Sequence, residues 1–168
     1  MDLILWRHAD AGEPLADPIE DLQRKLSPKG EKQAARMADW LNRFLPDSTR
    51  VLVSPALRCQ QTAEALGRKF QTREALAPGG SVTSLLTLAR WPDRREPVLI
   101  IGHQPTLGMA AALLMAGPQA SDEAADRPVG HATPAWSVRK GAVWWLRHRE
   151  RAGVAEVVLV SVRSPDNL

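Results

Sequence analysis

Residues 3–11 read LILWRHADA, an apolar run that ends directly on an arginine and a histidine. Four large apolar residues in a row, Leu3–Trp6, are typical of a strand that is buried on both faces. The same order, an apolar run followed at once by polar residues, recurs at 51–58 (VLVSPALR) and at 98–103 (VLIIGH). Three such strands separated by helical segments indicate an α/β fold.

Helical patterns fill the segments between these strands. Ser27-Pro28 is typical of a helix start, because serine caps the helix and proline is tolerated in its first turn. Apolar residues at three-to-four spacing follow from Ala34 to Leu45, so this helix has one buried face. Further helices are predicted from Ser54-Pro55 to about Phe70, over Thr83–Trp91, and from the turn after His103 to about Gly117.

The end of the sequence predicts a hairpin. Gly117–Pro134 is rich in turn residues and is expected to form one long surface loop. The strands Ala142–Arg147 and Val154–Val162 then flank the turn Arg151-Ala152-Gly153. We therefore expect a single domain over residues 1–168, a three-layer α/β fold whose mostly parallel sheet has helices on both faces and a C-terminal hairpin. Period-two alternation also predicts that one of Trp144 and Trp145 faces outward.

Composition excludes several classes of protein. The chain has 168 residues, of which 44% are hydrophobic and 24% charged, as in a globular domain with an ordinary core. Its apolar runs are far shorter than the ~20 residues of a membrane helix, and its start does not resemble a signal peptide. A single cysteine, Cys59, excludes an internal disulfide. We expect a cytoplasmic monomer that does not bind membranes.

The net charge of +3 raises the question of nucleic-acid binding. Most basic residues alternate with acidic ones, as on a solvated surface, so we do not expect a nucleic-acid partner. The segment Arg127–Arg151 differs, since it holds six basic residues and one acid, Glu150. It is either a docking patch for an acidic partner or a plain surface strand.

Basic and polar side chains cluster where the predicted strands end. Arg7 and His8 follow the first strand, Arg58 lies in the first turn after the second, and His103 follows the third. In open α/β sheets the ligand crevice lies at this edge. The helix expected to open at Ser54 would add its positive dipole end. Together these groups predict a cationic site for a phosphoryl group.

Three motifs in order resemble the histidine phosphatase (phosphoglycerate mutase-like) superfamily. They are LWRHADA at 5–11, VLVSPALRCQQTA at 51–63 and IGHQPTLG at 101–108. Together with the short length, they are most similar to the SixA-type phosphohistidine phosphatases. The first motif departs from the superfamily pattern at Ala9, where glycine is usual.

The resemblance implies a role for each of five residues. His8 would be the nucleophile, Arg7, Arg58 and His103 would hold the phosphoryl oxygens, and Arg24 would help to bind substrate. It implies no metal and no cofactor. It also implies a phosphorylated protein as substrate, such as a histidine-containing phosphotransfer protein of a signalling relay.

The general acid of ester-cleaving relatives is missing from the expected place. Residues 79–80, where that carboxylate would align, are both glycine, and Glu74 lies too early, within an expected strand. An alkoxide needs a proton to leave, whereas a phosphorylated imidazole is a better leaving group. The sequence therefore favours N–P bonds as the target.

Two other functions remain open. A phosphatase for small phosphate esters would use Glu74 or Asp93 as its acid. A non-catalytic module would only bind phosphorylated protein through the same arginines, although binding alone does not need two histidines. A metallophosphatase lacks its other ligand motifs here, and Cys59 lacks the downstream arginine of a cysteine phosphatase.

Overall fold

The computed structural model of the chain describes residues 1–116 and 136–168. Strands and helices alternate through the first of these segments, and a hairpin fills most of the second. The elements are β1 (Asp2–Arg7), α1 (Pro18–Leu22), α2 (Pro28–Phe44), β2 (Arg50–Val53), α3 (Leu57–Glu64), β3 (Gln71–Thr72), a 3₁₀ turn (Glu74–Leu76), α4 (Val82–Ala89), β4 (Val98–Gly102), α5 (Thr106–Ala116), β5 (Val143–Arg151) and β6 (Val154–Arg163).

The strands form one sheet in the order β3-β2-β4-β1-β5-β6. The first four strands of that order are parallel, and the hairpin β5-β6 adds to β1 in the antiparallel direction. This confirms the mostly parallel sheet with a C-terminal hairpin. The register places Arg7 beside Gly102 and Val53 beside Ile101, so β1, β4 and β2 end at the same edge of the sheet.

Two apolar layers cover the two faces of the sheet. In β1, Leu3 and Leu5 pack with α4 and α5, while Ile4 and Trp6 pack with α2 and α3. Strand β4 alternates in the same way and is buried along its whole length. Burial of each such side chain contributes about 1.5–3 kcal/mol. Because both faces are covered, the strands are continuous apolar runs, as the sequence predicted.

The two adjacent tryptophans of β5 are both packed. Trp145 is buried in the layer that contains α2, and its ring meets the edge of Trp40 at 6.4 Å between centroids. Trp144 is half-buried against the opposite layer. The expectation that one of the pair faces outward is therefore wrong, because helices cover the sheet on both sides.

Some element boundaries differ from the predicted ones. Helix α2 begins as predicted, with the Ser27 side chain accepting a hydrogen bond from the Gly30 amide at 3.0 Å. Its last residue, Phe44, is 58% exposed and does not join the buried face. Helix α3 begins at Leu57 rather than Ser54, and it ends at Glu64 rather than near Phe70.

The remaining helix predictions hold, with bounds given above, and the hairpin is present with longer strands. The loop expected at Gly117–Pro134 lies outside the described residues. Within 1–116 and 136–168, no helix has the length and hydropathy needed to cross a membrane.

Candidate active site

Four of the predicted site residues lie at the shared carboxyl edge of β1, β2 and β4. Arg7 ends β1 and His8 follows it, His103 follows β4, and Arg58 lies in the first turn of α3. His8, Arg58 and His103 are only 6%, 3% and 5% exposed, although each has a polar side chain. Buried polar groups of this kind need partners, and their hydrogen bonds define the geometry of the site.

The His8 ring is held in a single tautomer by the backbone. Its Nδ1 lies 2.8 Å from the Ala9 carbonyl oxygen, which can only accept, so Nδ1 carries the proton and Nε2 keeps its lone pair. The Ala9 amide is fixed in turn by the Thr62 hydroxyl at 3.1 Å. Alanine in place of the usual glycine therefore leaves the carbonyl available. A neutral imidazole with a free Nε2 is a competent nucleophile.

The pKa of His8 is lowered to about 3. Burial is the largest cause, the hydrogen bond to the Ala9 carbonyl opposes it, and the nearby arginines Arg58, Arg7 and Arg24 add to the lowering. The pKa of His103 is likewise lowered to about 3, first by burial and then by His8 and Arg58. The two rings lie 5.2 Å apart between centroids. Both imidazoles are therefore neutral at pH 7.

Ser54 positions His103 and does not cap a helix. Its Oγ lies 2.7 Å from His103 Nε2, and it also accepts from the Ala56 amide at 3.3 Å. The other ring nitrogen, Nδ1, lies 3.5 Å from Arg58 Nη2. The Ser54-Pro55 pair predicts a helix start, but the Ser54 hydroxyl contacts His103, which is far away in the sequence.

The guanidinium groups of Arg7 and Arg58 are anchored through their terminal nitrogens, and their Nε atoms have no partner among the described residues. Arg7 Nη1 donates to the Val138 carbonyl at 2.7 Å, and Arg58 Nη1 donates to the Asp21 carbonyl at 2.7 Å. The Nε atoms of both are buried with no hydrogen-bond partner among the described residues. Buried donors without acceptors are unfavourable, so these two arginines are held in place at a cost in free energy.

Arg24 belongs to the same cluster through Asp21, a residue that the sequence analysis missed. Arg24 Nε donates to Asp21 Oδ1 at 2.9 Å, and Arg24 Nη1 donates to the Ala11 carbonyl at 2.7 Å. Asp21 Oδ2 pairs with Arg58 Nη2 at 3.0 Å. The only local sign of this contact is that Asp21 precedes Arg24 by three residues. An acid and a base at that spacing are common on protein surfaces, so the spacing does not indicate a site.

The charges of the cluster suit a phosphoryl dianion. Three guanidinium cations and the Asp21 carboxylate leave a net charge of +2, because both histidines are neutral. Burial raises the pKa of Asp21, but the Leu15 amide, Arg24 and Arg58 outweigh it, so the net direction is downward and the carboxylate is ionised. Arginine is well suited to such oxyanions because its donors are planar and forked.

A second polar cluster supports the loop after His8. Asp10 pairs with Lys140 at 2.7 Å and accepts a hydrogen bond from the Ser27 hydroxyl at 2.6 Å. These contacts connect the loop after His8 to the segment before β5 and to the start of α2. These bonds lower the pKa of Asp10 to about 2. The Gly141 amide donates to the His8 carbonyl at 3.0 Å. Sequence reasoning missed this cluster, since Asp10 and Lys140 are far apart in the chain.

The alternative acids occupy different environments. Glu74 begins the 3₁₀ turn, which corrects its expected place in a strand, and it is exposed. Asp93 is exposed and precedes β4, toward the edge of the sheet opposite the site. Gly80 borders the turn after His103, because its carbonyl accepts from the Thr106 hydroxyl at 2.7 Å.

Cys59 is buried beside His103, with Sγ 3.5 Å from Nε2. Burial raises its pKa to about 12, so it is a thiol at neutral pH. In the part of the chain that the structure describes, no group of three or more His, Cys, Asp or Glu side chains is placed to hold a metal ion.

The described part of the basic segment Arg127–Arg151 is largely paired with acids. Lys140 contacts Asp10, Arg147 contacts Asp2, and Arg149 contacts Glu156. The three contacts belong to the sheet and to the loop after His8. They favour the surface-strand interpretation for these residues over a free docking patch.

Comparisons with known proteins match this geometry. The model of the histidine phosphatase superfamily (branch 1) matches residues 3–78, which include Arg7, His8, Arg24 and Arg58. The chain is 33% identical to the phosphohistidine phosphatase SixA of Escherichia coli over 125 residues, which are 70% of this chain and 76% of that protein. It is 37% identical to an uncharacterized protein of Picosynechococcus over 126 residues, 70% of this chain and 74% of the relative.

A solved structure extends the likeness to the whole fold. The structure of the protein histidine phosphatase SixA complexed with tungstate superposes with a TM-score of 0.67 at 26% identity, and the match covers 99% of each chain. That structure therefore aligns over the C-terminal hairpin as well as the segment that the superfamily model matches.

Proposed function

Because the chain belongs to the histidine phosphatase superfamily and is a SixA-type hydrolase, we propose that it removes phosphoryl groups from phosphohistidine in protein substrates. The observation that carries this proposal is the convergence of His8, in its Nδ1–H tautomer, with the guanidinium groups of Arg7, Arg24 and Arg58. The first supplies a nucleophile and the others supply the charge that a phosphoryl group requires.

In the first step, His8 Nε2 attacks phosphorus. A new N–P bond forms on His8 while the N–P bond to the substrate imidazole breaks, and that imidazole leaves with the bonding electron pair. A proton on its second nitrogen makes the leaving imidazole neutral. In the second step, water attacks the phosphorylated His8, which releases inorganic phosphate and restores the free Nε2 lone pair.

The arginines and His103 stabilise the charge that develops during transfer. Phosphoryl transfer spreads negative charge over three equatorial oxygens, and catalysis depends mainly on positioned cations and donors. Arg7, Arg24 and Arg58 supply the cations, and the Nε–H groups of Arg7 and Arg58 have no protein partner among the described residues. In this structure His103 Nδ1 accepts from Arg58 Nη2, because a guanidinium group only donates, and Nε2 therefore donates to Ser54 Oγ. Donation from Nδ1 to a phosphoryl oxygen requires the other tautomer, in which Nε2 accepts from the Ser54 hydroxyl.

Three features support phosphohistidine over phosphate esters. Residues 79–80 carry no carboxylate, Glu74 is exposed, and Asp93 lies toward the opposite edge of the sheet. The relative in the structural comparison is described as a protein histidine phosphatase, and it binds tungstate, an oxyanion like phosphate. We propose a histidine-containing phosphotransfer protein as the physiological substrate.

The test compares three substrates with the purified protein. We expect turnover of a phosphohistidine peptide and much slower turnover of a sugar phosphate, whose alkoxide needs a proton to leave. p-Nitrophenyl phosphate, whose phenolate leaves without a proton, serves as the control that reports on the phosphoryl site without a general acid. Radiolabelled peptide should leave an acid-labile, base-stable phosphoryl group on the protein. His8→Ala should abolish that label, and His148→Ala, which changes a histidine of β5 outside the site, should retain it.

The outcomes distinguish a phosphohistidine phosphatase from an ester phosphatase and from a binding module. Label that persists in His8→Ala would remove the nucleophile assignment. Equal turnover of the sugar phosphate and the peptide would replace the proposal with a general ester phosphatase. Tight binding of the phosphohistidine peptide without turnover would instead indicate a non-catalytic phosphoprotein-binding module.

A further inference from the structure

Asp21 contacts two of the arginines that the proposed function assigns to the phosphoryl group. We propose that Asp21 is a positioning residue, whose carboxylate and carbonyl hold the guanidinium groups of Arg24 and Arg58 in the orientation that receives the phosphoryl oxygens. This inference rests on the proposed function, because the orientation matters only if these arginines bind a phosphoryl group.

Asp21 contacts the Arg58 guanidinium group at two atoms. Its Oδ2 pairs with Arg58 Nη2 at 3.0 Å, and its backbone carbonyl accepts from Arg58 Nη1 at 2.7 Å. Two contacts on the two terminal nitrogens fix the plane of a guanidinium group, which one contact cannot do. The second hydrogen on Nη1 has no partner among the described residues, whereas Nη2 also faces His103 Nδ1 at 3.5 Å.

Arg58 has little else to orient it. Its side chain is 4% exposed, so solvent does not set its position, and within residues 1–116 and 136–168 its other hydrogen-bond neighbour is His103 Nδ1 at 3.5 Å. Arg24 is held in the same manner, with Nε on Asp21 Oδ1 and Nη1 on the carbonyls of Ala11 and Gly12. Asp21 therefore sets the distance between the two guanidinium groups.

The helix that carries Asp21 has no role in the core. Helix α1 has five residues, none of them buried, and its Ile19 is 75% exposed. The Asp17 side chain caps it by accepting from the amides of Ile19 and Glu20 at 2.7 and 3.1 Å. The ion pairs of Asp21 therefore connect an exposed helix to the site, and Asp21 Oδ1 also accepts from the Leu15 amide at 3.0 Å.

Two roles for this carboxylate predict opposite effects on oxyanion binding. A carboxylate that only neutralises the empty site competes with phosphate, so its removal would tighten binding. A carboxylate that orients the arginines prepares the site, so its removal would weaken binding even though the site becomes more positive. The sign of the change in affinity decides between them.

The experiment measures vanadate affinity, kcat and KM for Asp21→Asn, with a phosphohistidine peptide as substrate. We expect vanadate to bind about 10- to 100-fold more weakly, as for the loss of charge-assisted hydrogen bonds, and kcat/KM to fall by a similar factor with kcat falling more than KM rises. The matched control is Asp17→Ala, which removes the cap of the same helix and leaves the arginine contacts in place. It should change both quantities by less than about threefold.

A second variant keeps the test valid if Asp21→Asn unfolds, as judged by its melting curve. Asp21→Glu retains the charge but moves the carboxylate by one methylene, and we expect it to lose vanadate affinity as well. Unchanged or tighter vanadate binding in the folded variants would overturn the proposal. So would an equal loss in Asp17→Ala, which would show that only the integrity of α1 matters.

The binding measurement separates this inference from the proposed function. If the unmodified protein binds vanadate but does not hydrolyse the peptide, the proposed function fails while the comparison of Asp21→Asn with Asp17→Ala still reports on positioning. If hydrolysis occurs and Asp21→Asn behaves like the unmodified protein, only the role of Asp21 fails.

Discussion

Lowering the pH from 7 to 5 will destabilise this protein through the two histidines of its site. Both His8 and His103 have a folded-state pKa of about 3, against an ordinary value of 6.5. Between pH 6.5 and 3 the unfolded chain therefore binds more protons than the folded chain. Stability from the neutral histidines is complete above pH 6.5 and is lost as the pH falls toward 3.

The size of the effect follows from the shifts. At pH 5 each histidine lies 1.5 units below its unfolded pKa, which at about 1.4 kcal/mol per unit costs about 2 kcal/mol. The two histidines together lower the free energy of unfolding by about 4 kcal/mol. That is a large part of the roughly 5–15 kcal/mol by which an ordinary domain is stable. Asp10 does not contribute to the change between pH 7 and 5. Its pKa is lowered to about 2, so its contribution to the stability of the fold is lost only below about pH 4.

The assay is urea denaturation at pH 7.5, 6 and 5, with the free energy of unfolding extrapolated to water. His103→Gln should remove about half of the loss between pH 7.5 and 5, and His8→Gln combined with His103→Gln should remove most of it. Nitrogen NMR of the two rings should show no protonation midpoint above pH 5. A free energy that is equal at pH 7.5 and 5, or ring midpoints near 6.5, would refute this reasoning.

Three further predictions follow from the site. The phosphohistidine peptide should exceed an alkyl phosphate in kcat/KM by about 10²–10⁴-fold, the usual contribution of a general acid, and equal values would implicate Glu74 as donor. Vanadate should inhibit turnover and EDTA should leave it unchanged, since guanidinium groups supply the positive charge; loss of activity on chelation would show that a metal takes part. Gly30→Ala should destabilise the protein by about 1–3 kcal/mol and lower kcat, because its Cβ would overlap the Asp10 carbonyl oxygen behind His8. An unchanged urea midpoint would mean that this loop yields without strain.

Much of the fold was predictable because its signals are local. The apolar runs of β1, β2 and β4, the Ser27-Pro28 helix start and the turn before β6 each depend on neighbours in sequence. The failures occurred where distant contacts override those signals. The Ser54 hydroxyl, which local sequence predicts to cap a helix, forms a hydrogen bond with His103 after β4. Trp144 packs against a layer that contains helices, and a period-two pattern in one strand does not show that such a layer exists.

The residues of the candidate site also fall into those that local sequence predicts and those that depend on distant contacts. The positions of Arg7, His8, Arg58 and His103 after predicted strands were enough to place them at one edge of a parallel sheet, because parallel strands end together. Arg24 was supported only by resemblance, since its flanking residues carry no distinctive pattern. Its place in the cluster depends on Asp21 and on the Ala11 carbonyl.

The sequence by itself determined the buried strands β1, β2 and β4, the hairpin, and which cations and imidazoles follow the buried strands, because backbone propensity and apolar periodicity act over a few residues. It did not reveal the exposed edge strand β3. Only the tertiary structure decided which partner each polar group receives. The Ala9 carbonyl on His8, Asp21 between two arginines and Lys140 on Asp10 are such partners. The physical reason is burial: a polar group removed from water takes the nearest acceptor or donor that folding brings to it, and that neighbour can be 130 residues away, as Lys140 is from Asp10.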